Sequence, residues 1–109
     1  MSCLSYNYRG LGSDATFREL SELMRRFRPT ILCVVETQLH KIRADNLAGR
    51  LGFDRSFAVT SSGHSGGLGL YWNNEIKLDM LSYSQYHIDA IITEGDADPW
   101  RLTCVYGEA

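Results

Sequence analysis

The chain lacks the sequence features that mark zinc-binding, disulfide-bonded and membrane-spanning proteins. Its three cysteines, Cys3, Cys33 and Cys104, lie far apart, with no C-x-x-C pair and no histidine at zinc-ligand spacing. We therefore expect them to be small core hydrophobes in a reducing compartment. The apolar run at residues 31–35 is too short to cross a bilayer, and no basic segment followed by a long apolar one opens the chain. The sequence predicts an intracellular protein without a membrane partner.

An excess of positive charge is also missing. The 109 residues carry a formal net charge of −2 at pH 7. The overall field of such a protein does not attract nucleic acid, so any contact of that kind requires a local site. The single basic cluster, Arg25, Arg26 and Arg28, falls at the end of a predicted helix, where the helix dipole favours cations. The position at the helix end therefore accounts for the basic cluster without a role in nucleic-acid binding.

The first third of the chain predicts a strand, a helix and a second strand. Hydrophobic residues make up 44% of the sequence, enough for one domain with a modest core. A short strand at residues 4–7 precedes a helix that we expect to start near Phe17, because Thr16 and Glu19 form a capping-box pattern. A proline ends the helix, and the apolar residues 31–35 lack alternation, which predicts a strand buried on both faces. This order is typical of a βαβ unit with a parallel strand pair.

The remaining two thirds predict one further helix and then mainly strands. The helix spans residues 42–51, with Gly52 as its left-handed cap. Alternating apolar and polar residues then indicate antiparallel strands with one buried face. The predicted strands are residues 57–60, 68–72, 76–81, 88–93 and 100–106. The predicted fold class is α/β (α+β), a mixed sheet with two helices on one side.

Two oxygen-bearing side chains fall at the ends of the first two predicted strands. Asn7 closes the first strand and Glu36 directly follows the second. Because the carboxyl ends of parallel strands meet at one edge of a sheet, the two side chains converge if the strands are neighbours. Carboxylate and amide oxygens suit a hard cation such as Mg²⁺. Taken singly, Asn7 is equally explained as a turn former and Glu36 as a solvated strand end.

Four short motifs resemble those of one superfamily. They are YNYRGLG at residues 6–12, VVET at 34–37, SGGLGLYW at 65–72 and LTCVYG at 102–107. In this order they are similar to the endonuclease/exonuclease/phosphatase superfamily. The likeness is greatest to the endonuclease domain of plant LINE-type (non-LTR) retrotransposons, in the apurinic/apyrimidinic endonuclease branch.

The resemblance implies a fold, a chemistry and three site residues. The fold is a four-layer α/β sandwich, and the chemistry is cleavage of phosphoester bonds with Mg²⁺ or Mn²⁺. By resemblance, Glu36 binds the metal, Asn7 contacts it and orients the site, and Tyr106 hydrogen-bonds the scissile phosphate. The partner of the full-length parent is then DNA, and its compartment the nucleus.

The sequence also departs from the family pattern. Tyr6 stands where the family usually has tryptophan, and Arg9 stands where some relatives place a metal-binding aspartate. Neither the Gly-Asp-x-Asn motif that activates water nor the Ser-Asp-His motif that contacts phosphate has a counterpart, and residues 95–98 (GDAD) are better explained as a hairpin turn. We therefore expect residues 1–109 to be a partial domain without its C-terminal half, with little or no turnover alone.

Other interpretations stay open at this point. The chain is alternatively a non-catalytic relic or interaction protein whose exposed sheet face binds a partner or a second copy, or simply a piece cut from a longer protein. The histidines, His40, His64 and His87, lack a carboxylate at a recognisable spacing, so none is assigned a role.

Overall fold

The computed structural model describes residues 3–7, 14–35, 47, 49–59 and 67–105 of the chain. These residues form one long helix, part of a second helix and seven strands in two sheets. Along the chain the elements are β1 (Cys3–Asn7), α1 (Asp14–Phe27), β2 (Ile31–Val35), β3 (Arg55–Val59), β4 (Leu68–Trp72), β5 (Ile76–Ser84), β6 (His87–Glu94) and β7 (Trp100–Val105). The mixed α+β class predicted from the sequence is confirmed.

Sheet I contains the first four strands in the order β1-β2-β4-β3. Strands β1 and β2 pair in parallel, with α1 between them in sequence, so the predicted βαβ unit is present. Strand β4 then pairs antiparallel with both β2 and β3. Residues 31–34 are buried because β2 lies between two strands and beneath covering elements on both faces.

Helix α1 begins earlier than the sequence pattern predicts. Its first residue is Asp14 and not Phe17, so Thr16 lies inside the helix and the capping-box interpretation is wrong. The Glu19 side chain has a different partner, because its Oε1 accepts a hydrogen bond of 2.7 Å from the Tyr6 hydroxyl on β1. Asp14 instead places an acidic residue type in the first turn, where the helix dipole favours negative charge.

Sheet II contains β5, β6 and β7 in sequential antiparallel order. Strand β5 extends to Ser84 and not to Leu81 as predicted, because a register shift between Met80 and Ser82 lets the strand continue past an extra residue. The turn after β6 has Gly95 at φ 54°, and the Ala97 N–H donates to the Glu94 carbonyl at 3.0 Å. The GDAD segment is therefore a hairpin turn, as predicted.

The two sheets pack face to face, and the helices cover the other side of sheet I. Buried side chains from both sheets form one core, namely Ile31, Cys33, Leu68 and Leu70 from sheet I and Ile88, Ala90, Ile92 and Cys104 from sheet II, with Ile76 at the start of β5. A second core lies between sheet I and the helices and contains Leu20, Leu32, Val34, Leu47, Phe53 and Tyr71. Helix, sheet and sheet thus form successive layers, with both helices on one side as predicted.

The second helix is described at Leu47 and residues 49–51. It ends as predicted, because Gly52 has φ 85° and its N–H donates to the Gly49 carbonyl at 3.2 Å. Within the residues that the structure describes, no helix has the length and apolar character to cross a membrane.

Candidate functional site

Four strand ends of sheet I meet in one row. Asn7, the last residue of β1, lies opposite Val35, the last residue of β2. Val35 also lies opposite Leu68 of β4, and Leu68 lies opposite Val59, the last residue of β3. We call this row of four residues the site edge. Because Glu36 directly follows Val35 in the sequence, the chain leaves β2 at the site edge immediately before the predicted metal ligand.

Strand β7 of sheet II ends on the same side of the molecule. At the opposite side, the Thr30 hydroxyl, just before β2, contacts Glu94 Oε1 at the end of β6 at 3.4 Å. Strand β7 runs antiparallel to β6, starting with Trp100 opposite Ile92 and ending with Val105 opposite His87. It therefore runs in the same direction as β2, so its last residue lies towards the site edge.

The structure describes the three predicted site residues to different extents. The backbone of Asn7 is at the site edge, whereas its side chain lies outside the part that the structure describes. Glu36 and Tyr106 also lie outside the described residues, each directly following a described strand. The adjacency of the first two strand ends is confirmed, and the contact among the three side chains stays a prediction.

Gly69 and Tyr71 approach each other closely on β4, next to the site edge. This contact was not predicted from the sequence. A Cβ atom on Gly69 would lie 2.5 Å from the Tyr71 hydroxyl oxygen, so the position has no room for a side chain. The Tyr71 ring is fully buried and packs against Phe53, with 6.2 Å between ring centroids. The signal was the G-x-Y spacing, because residues two apart in a strand share a face.

The clearest electrostatic feature is a buried carboxylate in sheet II. Asp89 is 5% exposed, although its place in an alternating strand pattern predicted a solvent-facing residue. Arg101 Nε donates to Asp89 Oδ1 at 2.9 Å, and the Thr103 hydroxyl donates to the same oxygen at 3.1 Å. The hydrogen bonds from Arg101, and secondarily that from Thr103, lower the pKa of Asp89, while burial opposes this shift. The ion pair fixes β6 against β7.

His87 is held by two hydroxyl groups next to this ion pair. Its Nδ1 lies 2.6 Å from Ser84 Oγ and its Nε2 lies 3.0 Å from Ser82 Oγ. Both ring nitrogens are therefore engaged, and the partners belong to the neighbouring strand β5. This arrangement fixes the orientation of the imidazole ring against β5.

The described residues do not themselves contain a metal-binding cluster. No three or more of their His, Cys, Asp or Glu side chains come together in a way that could hold a metal ion. The predicted metal site therefore depends on the side chains of Asn7 and Glu36. Their oxygen donors suit Mg²⁺ or Mn²⁺, whereas the softer thiols of Cys33 and Cys104 lie buried between the sheets.

Comparison with protein families identifies one family over nearly the whole chain. The family model described as the Endonuclease/Exonuclease/phosphatase family matches residues 3–108. The chain belongs to this family. Its match covers all the strands of both sheets and the positions of all the predicted site residues. No curated protein matches the chain.

Solved structures with the same fold include one named as an endonuclease and one named as a phosphatase. The AP endonuclease LMAP from Leishmania major is 18% identical, with a TM-score of 0.63 over 94% of this chain and 38% of its own. The 3' phosphatase NExo from Neisseria, bound to a product DNA hairpin, is 15% identical, with a TM-score of 0.63 over 97% and 41%. A humanized TDP2 from D. rerio is 16% identical, with a TM-score of 0.65 over 94% and 48%. The chain thus spans less than half the length of each of these three structures.

Proposed function

We propose that the chain forms the metal-binding portion of a phosphoester hydrolase of the endonuclease/exonuclease/phosphatase family. The observation that carries the proposal is the register of Asn7 with Val35 at the site edge, because it brings the amide-bearing strand end next to the position from which Glu36 leaves β2. The direction of β7 adds support, since Tyr106 follows the strand that ends on the same side.

The chemistry follows from the charges that develop during phosphoryl transfer. A bound Mg²⁺ or Mn²⁺ stabilises negative charge on the phosphate and leaving-group oxygens. In this proposal the Glu36 carboxylate and the Asn7 amide oxygen hold the ion. The Tyr106 hydroxyl donates a hydrogen bond to a phosphate oxygen and so fixes the substrate relative to the strand ends. The strands that precede these residues in the sequence, β1, β2 and β7, belong to sheets that pack against each other, and precise positioning requires such support.

The substrate class that we propose is a phosphodiester in DNA. The support is the family membership and the solved structures, one of which is named as an AP endonuclease and another of which holds a DNA hairpin. The four motifs at residues 6–12, 34–37, 65–72 and 102–107, taken in this order, further favour an endonuclease of a LINE-type retrotransposon as the source of the chain. We expect this chain alone to turn over little substrate, because its sequence lacks the family's water-activating and phosphate-contacting motifs.

The test separates metal binding from catalysis. Calorimetric titration of the purified chain with Mn²⁺ is expected to show one site, and Glu36→Gln is expected to weaken it at least tenfold. Glu75→Gln is the matched control, because Glu75 is exposed in the turn before β5. A supercoiled plasmid carrying an abasic site, incubated with the chain and Mg²⁺, should be nicked no faster than the buffer background.

The metal titration and the nicking assay test separate parts of the proposal. Absence of Mn²⁺ binding, or equal binding by Glu36→Gln, would show that Glu36 is not a ligand and remove the basis of the proposal. Fast nicking that disappears in Glu36→Gln would instead support the metal site and contradict the low turnover.

A second candidate function is protein binding, and exposed apolar side chains at one end of sheet II favour it. Leu81, Tyr83 and Val105 are 52%, 61% and 62% exposed, and Tyr86 in the β5–β6 turn is 43% exposed. Tyr83 and Val105 lie at the same end of sheet II on opposite faces, because Tyr83 lies opposite the buried Ile88 whereas Val105 lies opposite His87. The apolar patch therefore surrounds this end of the sheet. Such a patch suits a partner chain or a second copy.

The oligomeric state of the chain in solution tests this second function. Sedimentation velocity over a range of protein concentrations is expected to show association, which Val105→Asp weakens. Thr103→Asp is not a suitable control because Thr103 bonds Asp89, so Lys77→Asp at the other end of sheet II is used. A monomer at every concentration excludes self-association through this patch.

A further inference from the structure

The core between the two sheets contains a pair of thiols that the proposed function does not use. Cys33 lies on β2 in sheet I and Cys104 lies on β7 in sheet II, and they are 3% and 5% exposed. Both belong to the same cluster of packed side chains. The neighbouring Cys104 thiol, and secondarily burial, raises the pKa of Cys33, so the two thiols are neighbours within this core.

We propose that Cys33 and Cys104 form a reversible disulfide that links sheet I to sheet II. The two cysteines lie on strands of different sheets whose inner faces pack together, and both are reduced in this structure. The immunoglobulin fold shows that facing strands of two packed sheets accommodate such a bridge. The link would close a long loop of chain, because many residues separate the two positions in the sequence.

The reaction balances with a low-molecular-weight disulfide such as oxidised glutathione. The Cys104 thiolate attacks one sulfur of this oxidant and releases one thiol. Cys33 then loses its proton and attacks the Cys104 sulfur of the mixed disulfide, releasing the second thiol. Two protein thiols are oxidised to one disulfide, and the oxidant is reduced to two thiols.

The local environment assigns the attacking role to Cys104. The Cys33 thiol beside it lowers the pKa of Cys104, whereas the Cys104 thiol and burial raise the pKa of Cys33. Strand β7 is an edge strand of the described sheet II, so opening of a single edge strand admits the oxidant. Cys33 is on a central strand and becomes accessible only to the sulfur next to it.

The bridge has a structural consequence for the site edge. Cys33 is three residues before Glu36, and Cys104 is two residues before Tyr106. Oxidation therefore ties together the two strands from which these residues leave. The modification is independent of metal binding, since neither cysteine is among the proposed ligands.

The third cysteine provides a matched control. Cys3 lies on β1 and is exposed, so it is the thiol that an oxidant reaches first in the folded protein. Cys3→Ser removes this competing thiol and leaves both buried ones. Cys33→Ala and Cys104→Ala each remove one partner of the proposed bridge.

The experiment is equilibration of the full chain in glutathione buffers of increasing oxidised fraction, followed by alkylation and peptide mapping by mass spectrometry. A crosslink between Cys33 and Cys104 is expected in the unmodified chain and in Cys3→Ser, and in neither alanine variant. The oxidised Cys3→Ser protein should melt roughly 10 °C or more above its reduced form, and dithiothreitol should reverse the shift.

Each alternative outcome overturns the proposal. Crosslinks that map to Cys3, glutathione attached only at Cys3, or two thiols that stay reduced in the folded Cys3→Ser protein all exclude the inter-sheet bridge. Because this decision rests on the unmodified chain and on Cys3→Ser, it does not depend on whether the alanine variants fold.

Discussion

Asn7 lies directly opposite Val35 in the parallel pairing of β1 and β2. This single register determines which positions can share a ligand at the site edge. A shift of one residue would turn every side chain of β1 to the other face of sheet I. The helix-side face already has a fixed contact, because Tyr6 bonds Glu19 of α1 there. Tyr6 therefore holds β1 through this side-chain contact as well as through its pairing with Val34.

Replacement of Gly69 by alanine is expected to destabilise the fold. The new methyl group would meet the Tyr71 ring, which is fully buried and cannot swing into solvent. Overpacking of this kind costs about 1–3 kcal/mol. Urea unfolding measures the loss. Gly49→Ala is the control, because a Cβ atom at this helical position would have nothing within 4 Å. It should gain about 0.5–1 kcal/mol, and an equal loss in both variants would contradict the steric explanation.

Replacement of Arg28 by glycine is expected to stabilise the chain. Arg28 follows α1 with φ 45°, and its N–H donates to the Met24 carbonyl at 2.8 Å. A residue with a side chain adopts this left-handed conformation at a cost of about 1–2 kcal/mol, and the entropic cost of ordering a glycine offsets part of that, so the net gain is about 0.5–1 kcal/mol. Arg18→Gly in the interior of α1 should lose about 1 kcal/mol instead. Thermal unfolding of both variants measures these changes in stability. A loss of stability in Arg28→Gly would show that contacts of the arginine side chain contribute more than the relief of its left-handed backbone.

The sequence predicted the order and pairing of elements better than the contacts between them. The βαβ unit and the hairpin after β6 were recognisable because periodicity, proline and glycine act locally. The start of α1 was not recognisable, because the Glu19 carboxylate accepts a hydrogen bond from Tyr6 on β1 and does not cap the helix. Burial of Asp89 was missed for the same reason, since its partner Arg101 is distant in sequence.

Acid is expected to weaken the fold partly through Asp89. Its pKa is lowered in the folded chain, mainly by hydrogen bonds from Arg101. The ionised form is therefore favoured by folding, and its contribution is complete above the ordinary aspartate pKa of about 4. As the pH falls through the folded value, both states bind the proton and the contribution disappears.

The measurement for Asp89 is the free energy of unfolding from pH 7 down to pH 2. Asp89→Asn should be less stable than the unmodified chain at pH 7, and the difference should shrink steadily below about pH 4. Asp96→Asn, in the exposed turn after β6, should follow the unmodified chain throughout. A difference between Asp89→Asn and the unmodified chain that does not change with pH would mean that the hydrogen-bond geometry, and not the charge, is responsible.

Mg²⁺ is expected to stabilise the chain through Asn7 and Glu36 acting together. A ligand at ten times its Kd stabilises the folded state by about 1.4 kcal/mol, which is a rise of roughly 5–10 °C in Tm for a chain of this size. Asn7→Ala and Glu36→Gln should each remove most of this rise. The double variant should lose little more than either single variant, because two ligands of one ion are not independent. Losses that simply add would place the two residues at separate sites, even though the register of β1 and β2 brings their strand ends together.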